Sequence, residues 1–242
     1  MNRNIISIAR SVAFALALTT TSLSADEKLD FKLALNTDAF FGSNPYIGAT
    51  YHADSGLDYT FYGIQWGNGS GAAWGQWTEF GLGVAFKALD GALTINPQLG
   101  FTMGSLLSSG AEKPGIVGDG IVPNLTMNYS TADYEAELYA GLYLPLRDNA
   151  AADGTTLRYL HYWVNGGKKF SQYFSAGLHF EELSLLGGSN TGSANYYKWF
   201  GPYFQIAKDN VGMRISAGKD FTDRDTSNSK NDFYKLQFFV NF

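Results

Sequence analysis

Residues 74–88, WGQWTEFGLGVAFKA, alternate in polarity over an unusual length. Trp74, Phe80, Leu82, Val84 and Phe86 share one side of an extended chain, and Glu79, Gly81, Gly83 and Lys87 share the other. Period two marks a β-strand, because successive side chains leave the backbone on opposite faces. Strands of soluble sheets usually run about 5–6 residues. A strand that crosses a bilayer at a tilt needs about 9–11, and this stretch has that length.

Working outward, the same pattern recurs on both sides. Residues 30–41 set Phe31, Leu33, Leu35, Ala39 and Phe41 against Asp30, Lys32, Asn36 and Asp38. Residues 91–103, 133–146, 171–182, 211–221 and 232–242 alternate as clearly, and weaker strands are predicted at 45–53, 57–66, 121–131, 156–167 and 196–207. That makes about twelve strands, an even number, as in single-chain bacterial barrels. Lipid offers the backbone no hydrogen-bond partners, so a spanning sheet must close on itself. The fold class expected is all-β: a closed antiparallel transmembrane β-barrel over residues 26–242. The polar faces are rich in Gly, Ser, Thr, Asn and Tyr, which suits a lumen better than a soluble surface. With the N-terminus in the periplasm, the predicted inner connections are short (Asp54-Ser55-Gly56, Leu89-Asp90, Ser130 to Ala132, Asn165 to Lys169, Lys208-Asp209-Asn210). The outer ones are mostly longer (Gly67 to Ala73, Gly104 to Gly120, Arg147 to Gly154, Ser184 to Ser193, Thr222 to Asn231), Gly42-Ser43-Asn44 excepted. Pro97, Pro123 and Pro202 fall inside strands and Pro145 near an end; each removes a ladder donor, and bulges are the expected remedy.

Residues 1–25 form a unit of their own. Arg3 and Arg10 give a basic start, Val12 to Leu18 an apolar run, and Thr19 to Ala25 a small polar end before Asp26-Glu27. This is the layout of a secretory signal peptide, cleaved after Ser24 or Ala25, and its apolar run is too short to span a bilayer. The chain has no cysteine, which excludes disulfides and thiolate metal sites. Its net charge is −5, with no basic run, which argues against nucleic-acid binding.

The chain ends on Tyr234, Leu236, Phe238, Val240 and Phe242 at alternate positions. This resembles the terminal assembly signal of outer-membrane barrels, and the resemblance implies insertion by the outer-membrane assembly machinery. The whole chain resembles small, roughly twelve-stranded Gram-negative outer-membrane channels, of which the nucleoside channel and the acidic-oligosaccharide porins are examples. The latter are known for arginine-rich lumens, whereas few bases point inward here.

The proposed lumen carries Glu79, Lys87, Glu135, Glu137, His161, His179, Glu181 and Arg214, with acids in excess. Glu135 and Glu137 lie two apart on one strand with no neighbouring cation, so Arg214 or Lys87 must reach them across the lumen. Asp38, Asp220 and Lys235 fall on the strands that meet at closure and are expected to staple the seam. Arg158 and Lys198, near the outer end of the apolar face, are expected to snorkel toward lipopolysaccharide phosphates; the register chosen for 156–167 turns His161 inward. Inward aromatics (Tyr62, Trp66, Trp77, Tyr139, Tyr143, Tyr173, Tyr197, Trp199 and Tyr203) stack solutes or fill the lumen. Ser175, His179 and Glu181 share a face, but Ser175 and His179 lie about 13 Å apart along a strand, too far for a nucleophile–base pair. No metal cluster, phosphate loop or cofactor motif appears. The function expected is a porin-like channel for small polar or cationic solutes. The alternatives are a non-conducting structural or surface-binding barrel and, remotely, a lipid hydrolase.

Overall fold

The computed structural model describes residues 28–67, 77–108, 116–147, 156–222 and 232–242. The expected signal peptide and Trp74 lie outside them, as do parts of the longer connections. Twelve strands follow in order: β1 (Leu29–Asp38), β2 (Gly42–His52), β3 (Asp58–Trp66), β4 (Trp77–Ala88), β5 (Leu93–Gly104), β6 (Ile116–Ser130), β7 (Tyr134–Pro145), β8 (Leu157–Lys169), β9 (Phe174–Gly188), β10 (Ala194–Lys208), β11 (Val211–Asp220) and β12 (Asp232–Asn241). Each pairs antiparallel with its sequence neighbours, and β1 pairs with β12 to close a barrel. The start of β1, the end of β12 and the connections 53–57, 89–92, 131–133, 170–173 and 209–210 share one end, the turn end. The strand ends that flank 67–76, 105–115, 146–156 and 221–231, with the shorter connections 39–41 and 189–193, share the other, the loop end. Ser184 to Gly188, expected in a loop, instead extend β9, and Ile116 to Gly120 extend β6.

The lengths suit a bilayer, from 9 residues in β3 to 15 in β6, β9 and β10. So does the outer surface. Cross-strand register aligns outward rows of apolar residues: Leu35, Phe238, Met213, Ile206 and Phe174 in one, and Phe80, Phe101, Ile121 and Leu144 in another. Leu82 is 64% exposed, Leu178 54% and Phe204 53%. A soluble protein rarely exposes contiguous apolar surface of this extent; lipid hydrocarbon removes the penalty.

The prolines are accommodated without bulges. Pro97 pairs with Leu125, but on its other side the ladder passes from Gly83↔Gln98 to Phe86↔Ile95. Pro123 and Pro202 leave the same gap, toward β7 and β11 respectively, and the register resumes unchanged. Two partner pairs drop out at each proline, and the face of every following side chain is kept. The three register shifts lie near the loop end, at Thr102/Met103, Arg158/Tyr159 and Asn195/Tyr197. On β8, His161 is 2% exposed and faces inward.

Candidate functional site: the lumen

Inside, the two halves differ. The turn half holds a cavity of about 620 Å³ that reaches from Asp30, Asn210 and Asn241 at the turn end to Trp66 and Glu79 at mid-barrel. One wall is neutral and polar: Thr60 donates to Asn96 Oδ1 at 3.0 Å, and Gln98 Nε2 donates to Thr60 Oγ1 at 3.3 Å. The opposite wall carries Lys32, Arg214 and Gln237. The loop half is filled. Phe40, Phe41, Trp66, Trp77, Leu106, Leu107, Tyr143, Tyr159, Tyr197, Trp199 and Phe233 pack into one buried cluster.

Two aspartates hold this plug. Asp38 Oδ1 accepts the backbone N–H groups of Phe40 (2.8 Å) and Phe41 (2.6 Å), which turns both rings inward over the end of β1. Phe41 was expected on the lipid face; its position follows from the tight connection after Asp38, where strand alternation ends. Asp119 repeats the device on β6, accepting Leu107 N and Ser108 N at 2.8 Å each, and Ser108 Oγ donates to the Asp119 carbonyl. Leu157 N then donates to Leu107 O at 2.9 Å, tying the segment to β8. Asp119 and Leu107 have no solvent exposure. Neither was singled out in the sequence; the signal was an apolar pair, Leu106-Leu107, inside a polar connection.

Below the plug lies a layer built on two buried carboxylates. Glu181, on β9, is unexposed. Its Oε1 accepts from the Tyr197 hydroxyl at 2.9 Å and lies 2.8 Å from His161 Nε2. Its Oε2 takes Lys235 Nζ from across the lumen and lies 3.2 Å from His179 Nε2. His179 Nδ1 meets Asn165 Oδ1 at 2.7 Å. Glu79, on β4, accepts from Tyr62 OH (2.6 Å), Trp66 Nε1 (2.9 Å) and Tyr143 OH (3.2 Å), and no cation lies within ion-pair distance among the described residues.

Lower still, Arg214 Nη1 donates to Glu137 Oε2 at 2.7 Å, while Trp163 Nε1 donates to Oε1 at 2.9 Å. Arg214 thus makes the reach across the lumen; Lys87 is exposed near the turn end of β4. Glu135 is held by neutral donors, Ser175 Oγ and Tyr203 OH at 2.7 Å each. Ser175 donates to that carboxylate, and His179 is occupied with Asn165 and Glu181.

The expected seam residues are near one another in register but do not form one cluster. Asp38 and Lys235 are cross-strand partners, yet Asp38 binds loop backbone and Lys235 crosses to β9. Asp220 accepts from Lys198 N at 3.1 Å and Thr222 N at 2.9 Å. The reason is competition: charge-assisted bonds to backbone N–H groups satisfy buried donors that nothing else reaches. On the outer surface Arg158 is exposed, while Lys198 Nζ lies 3.5 Å from Glu182. Of the aromatics expected inward, Tyr173 is 46% exposed in the connection 170–173, and the rest are buried in the lumen. Tyr234, Leu236, Phe238 and Val240 alternate with the inward Lys235, Gln237 and Phe239, and Phe242 exchanges two backbone hydrogen bonds with Phe31 (3.1 and 2.9 Å).

Among solved structures, the barrel is similar to the COG4313 outer membrane channel from Pseudomonas putida F1 (TM-score 0.53, 10% identity, covering 88% of this chain and 93% of that one). It is also similar to the NanC porin (TM-score 0.51, 11% identity, covering 88% and 98%). At these identities the likeness is one of fold, that of the closed outer-membrane barrels. No curated protein matches the sequence. The chain belongs to the family described as "Family of unknown function (DUF6733)", which it matches over residues 1–242.

Proposed function

We propose that this chain is an outer-membrane, porin-like channel for small polar solutes, cation-preferring and shut at its loop end in the form seen here. The observation that carries the reading is the polar cavity of about 620 Å³ inside a closed, apolar-belted barrel. Asp30, Asp38, Glu79 and Glu137 line it against Lys32, Arg214 and Lys235; Glu79, and Glu135 outside the lining, have no ion-pair partner among the described residues. Carboxylates lining a narrow water-filled path favour cations. Phe40-Phe41 and Leu106-Leu107, part of the seal, belong to connections held by side chain-to-backbone bonds rather than by strand ladders. Connections of this kind open at lower free energy than the wall itself.

The test is conductance in planar bilayers. Discrete openings with a reversal potential on the cation side are expected. Glu135→Gln with Glu137→Gln should shift that potential toward zero, and Arg214→Gln should move it the other way by unmasking Glu137. A reversal potential that ignores all three changes would end the acidic-lumen reading. The tight plug also favours a second reading, a non-conducting barrel. Silence from both the wild type and a Phe41→Ala, Leu107→Ala variant that folds normally would select it. Export by the N-terminal signal, insertion through the assembly machinery and contact of Arg158 and Lys198 with lipopolysaccharide belong to the same proposal, supported by the signal layout, the terminal strand and the loop-end placement of both cations.

A further inference from the structure

Aromatic rings pave the wall of the cavity by lying over glycines. A Cβ on Gly81 or Gly100 would come within 2.0 and 2.4 Å of the Tyr62 side chain; one on Gly48 would meet Tyr46 at 2.8 Å, and one on Gly212 would meet Phe239 at 2.2 Å. Glycine at these positions leaves the room that each aromatic side chain occupies along the wall, and the face of an aromatic ring is electron-rich. Three inward rings already hold a cation of the protein: Arg214 over Tyr203 at 5.1 Å, Lys235 over Trp163 at 5.0 Å and Lys32 over Phe239 at 5.7 Å. Tyr46 and Tyr62 carry none among the described residues.

The side chains of Tyr46 and Tyr62 start from diagonal positions on the adjacent strands β2 and β3. Tyr46 covers Gly48, and Gly48 is the cross-strand partner of Tyr62. The Tyr62 hydroxyl donates to Glu79, the buried carboxylate that meets only neutral donors. All three line the inner end of the cavity, together with Asp38 and Asn44. A desolvated carboxylate without a counter-charge is costly, and a cation seated against it and two ring faces relieves that cost while keeping its own apolar groups out of water. A small metal ion lacks apolar groups and prefers a shell of oxygens. Lys32, the nearest competing charge on β1, leans toward β12 and Phe239, away from Tyr46.

We infer that the inner end of the turn-side cavity, formed by Tyr46, Tyr62 and Glu79, binds a small organic ammonium cation. The inference rests on the cavity being a solute path and names the solute class. Equilibrium binding to the refolded barrel in detergent tests it apart from conductance, with tetramethylammonium chloride as the probe titrated against sodium chloride of equal ionic strength. Saturable binding is expected, weakened at least tenfold by Glu79→Gln and about fivefold by Tyr46→Leu, and tightened by Lys32→Gln. Because Glu79→Gln could loosen the layer around it, each variant is first checked for barrel formation by its mobility shift on heating. The Tyr46 and Lys32 variants lie outside the Glu79 hydrogen-bond network and keep the test decisive. Tetramethylammonium binding that matches sodium, or that is unmoved by Tyr46→Leu and Lys32→Gln, overturns the proposal. Binding without conductance would leave this site standing and remove the channel; conductance without binding would do the reverse.

Discussion

Lys235→Met isolates the mid-barrel layer. Among the described residues, the substitution removes the one lysine or arginine within ion-pair distance of Glu181, whose side chain has no exposure, while the Lys235 side chain is 20% exposed. Removing one partner of a buried ion pair costs about 3–5 kcal/mol, because the remaining charge is left uncompensated. Here the carboxylate keeps Tyr197 and the two histidines beside it, and Lys235 touches solvent, so the low end applies: about 3 kcal/mol, or roughly a hundredfold in the folding equilibrium. Urea unfolding and refolding in phospholipid vesicles, followed by tryptophan fluorescence, reads this out. With a slope of about 2–3 kcal/mol per molar urea the midpoint should fall by about 1 M. Adding Glu181→Gln removes the stranded charge, and the double variant should regain most of the loss. A single variant within about 1 kcal/mol of wild type, the scale of an exposed pair, would refute the reasoning. So would a double variant no more stable than the single one.

Three further outcomes are expected. Asp119→Ala strands two buried amides; hydrogen exchange at Leu107 and Ser108 should accelerate about a hundredfold, equivalent to about 3 kcal/mol of lost local protection, while the strand amides of β9 keep theirs. Gly81→Ala places a methyl group 2.0 Å from the Tyr62 ring, and displacing that ring from Glu79 should destabilise the barrel by about 1–3 kcal/mol in the same urea assay; Gly166→Ala, at an exposed position of β8 where an added Cβ meets nothing within 4 Å, serves as the comparison for glycine replacement as such. Deletion of Phe242 removes the last two backbone hydrogen bonds to Phe31, and assembled, heat-modifiable barrel in outer-membrane fractions should drop several-fold while Phe242→Tyr retains it.

Much of the wall was legible along the chain because membrane and lumen impose opposite demands on adjacent residues. Alternation alone places Leu82 outward and Glu79 inward, and the cost of a polar ring at mid-membrane orients β8 around His161. It failed where the chain leaves the sheet. Phe41 continues the period of β1 on paper, but the carboxylate of Asp38 binds its amide and draws the ring inside. Leu106 and Leu107 sit in a connection with no period to read. Turn chemistry set by one side chain outweighs a pattern that holds only for extended backbone.

The amino-acid order by itself determined that the chain is a closed sheet with an oily outside and a polar inside, because face alternation is a local property repeated strand by strand. Which inward groups meet was decided only by closure. Arg214 and Glu137 are separated by 77 residues, and Lys235 and Glu181 by 54; nothing in their neighbourhoods selects these pairs over Lys87 with Glu137 or Lys235 with Asp38. The barrel's curvature and the backbone demands of two loops make that choice, and both are properties of the assembled cylinder.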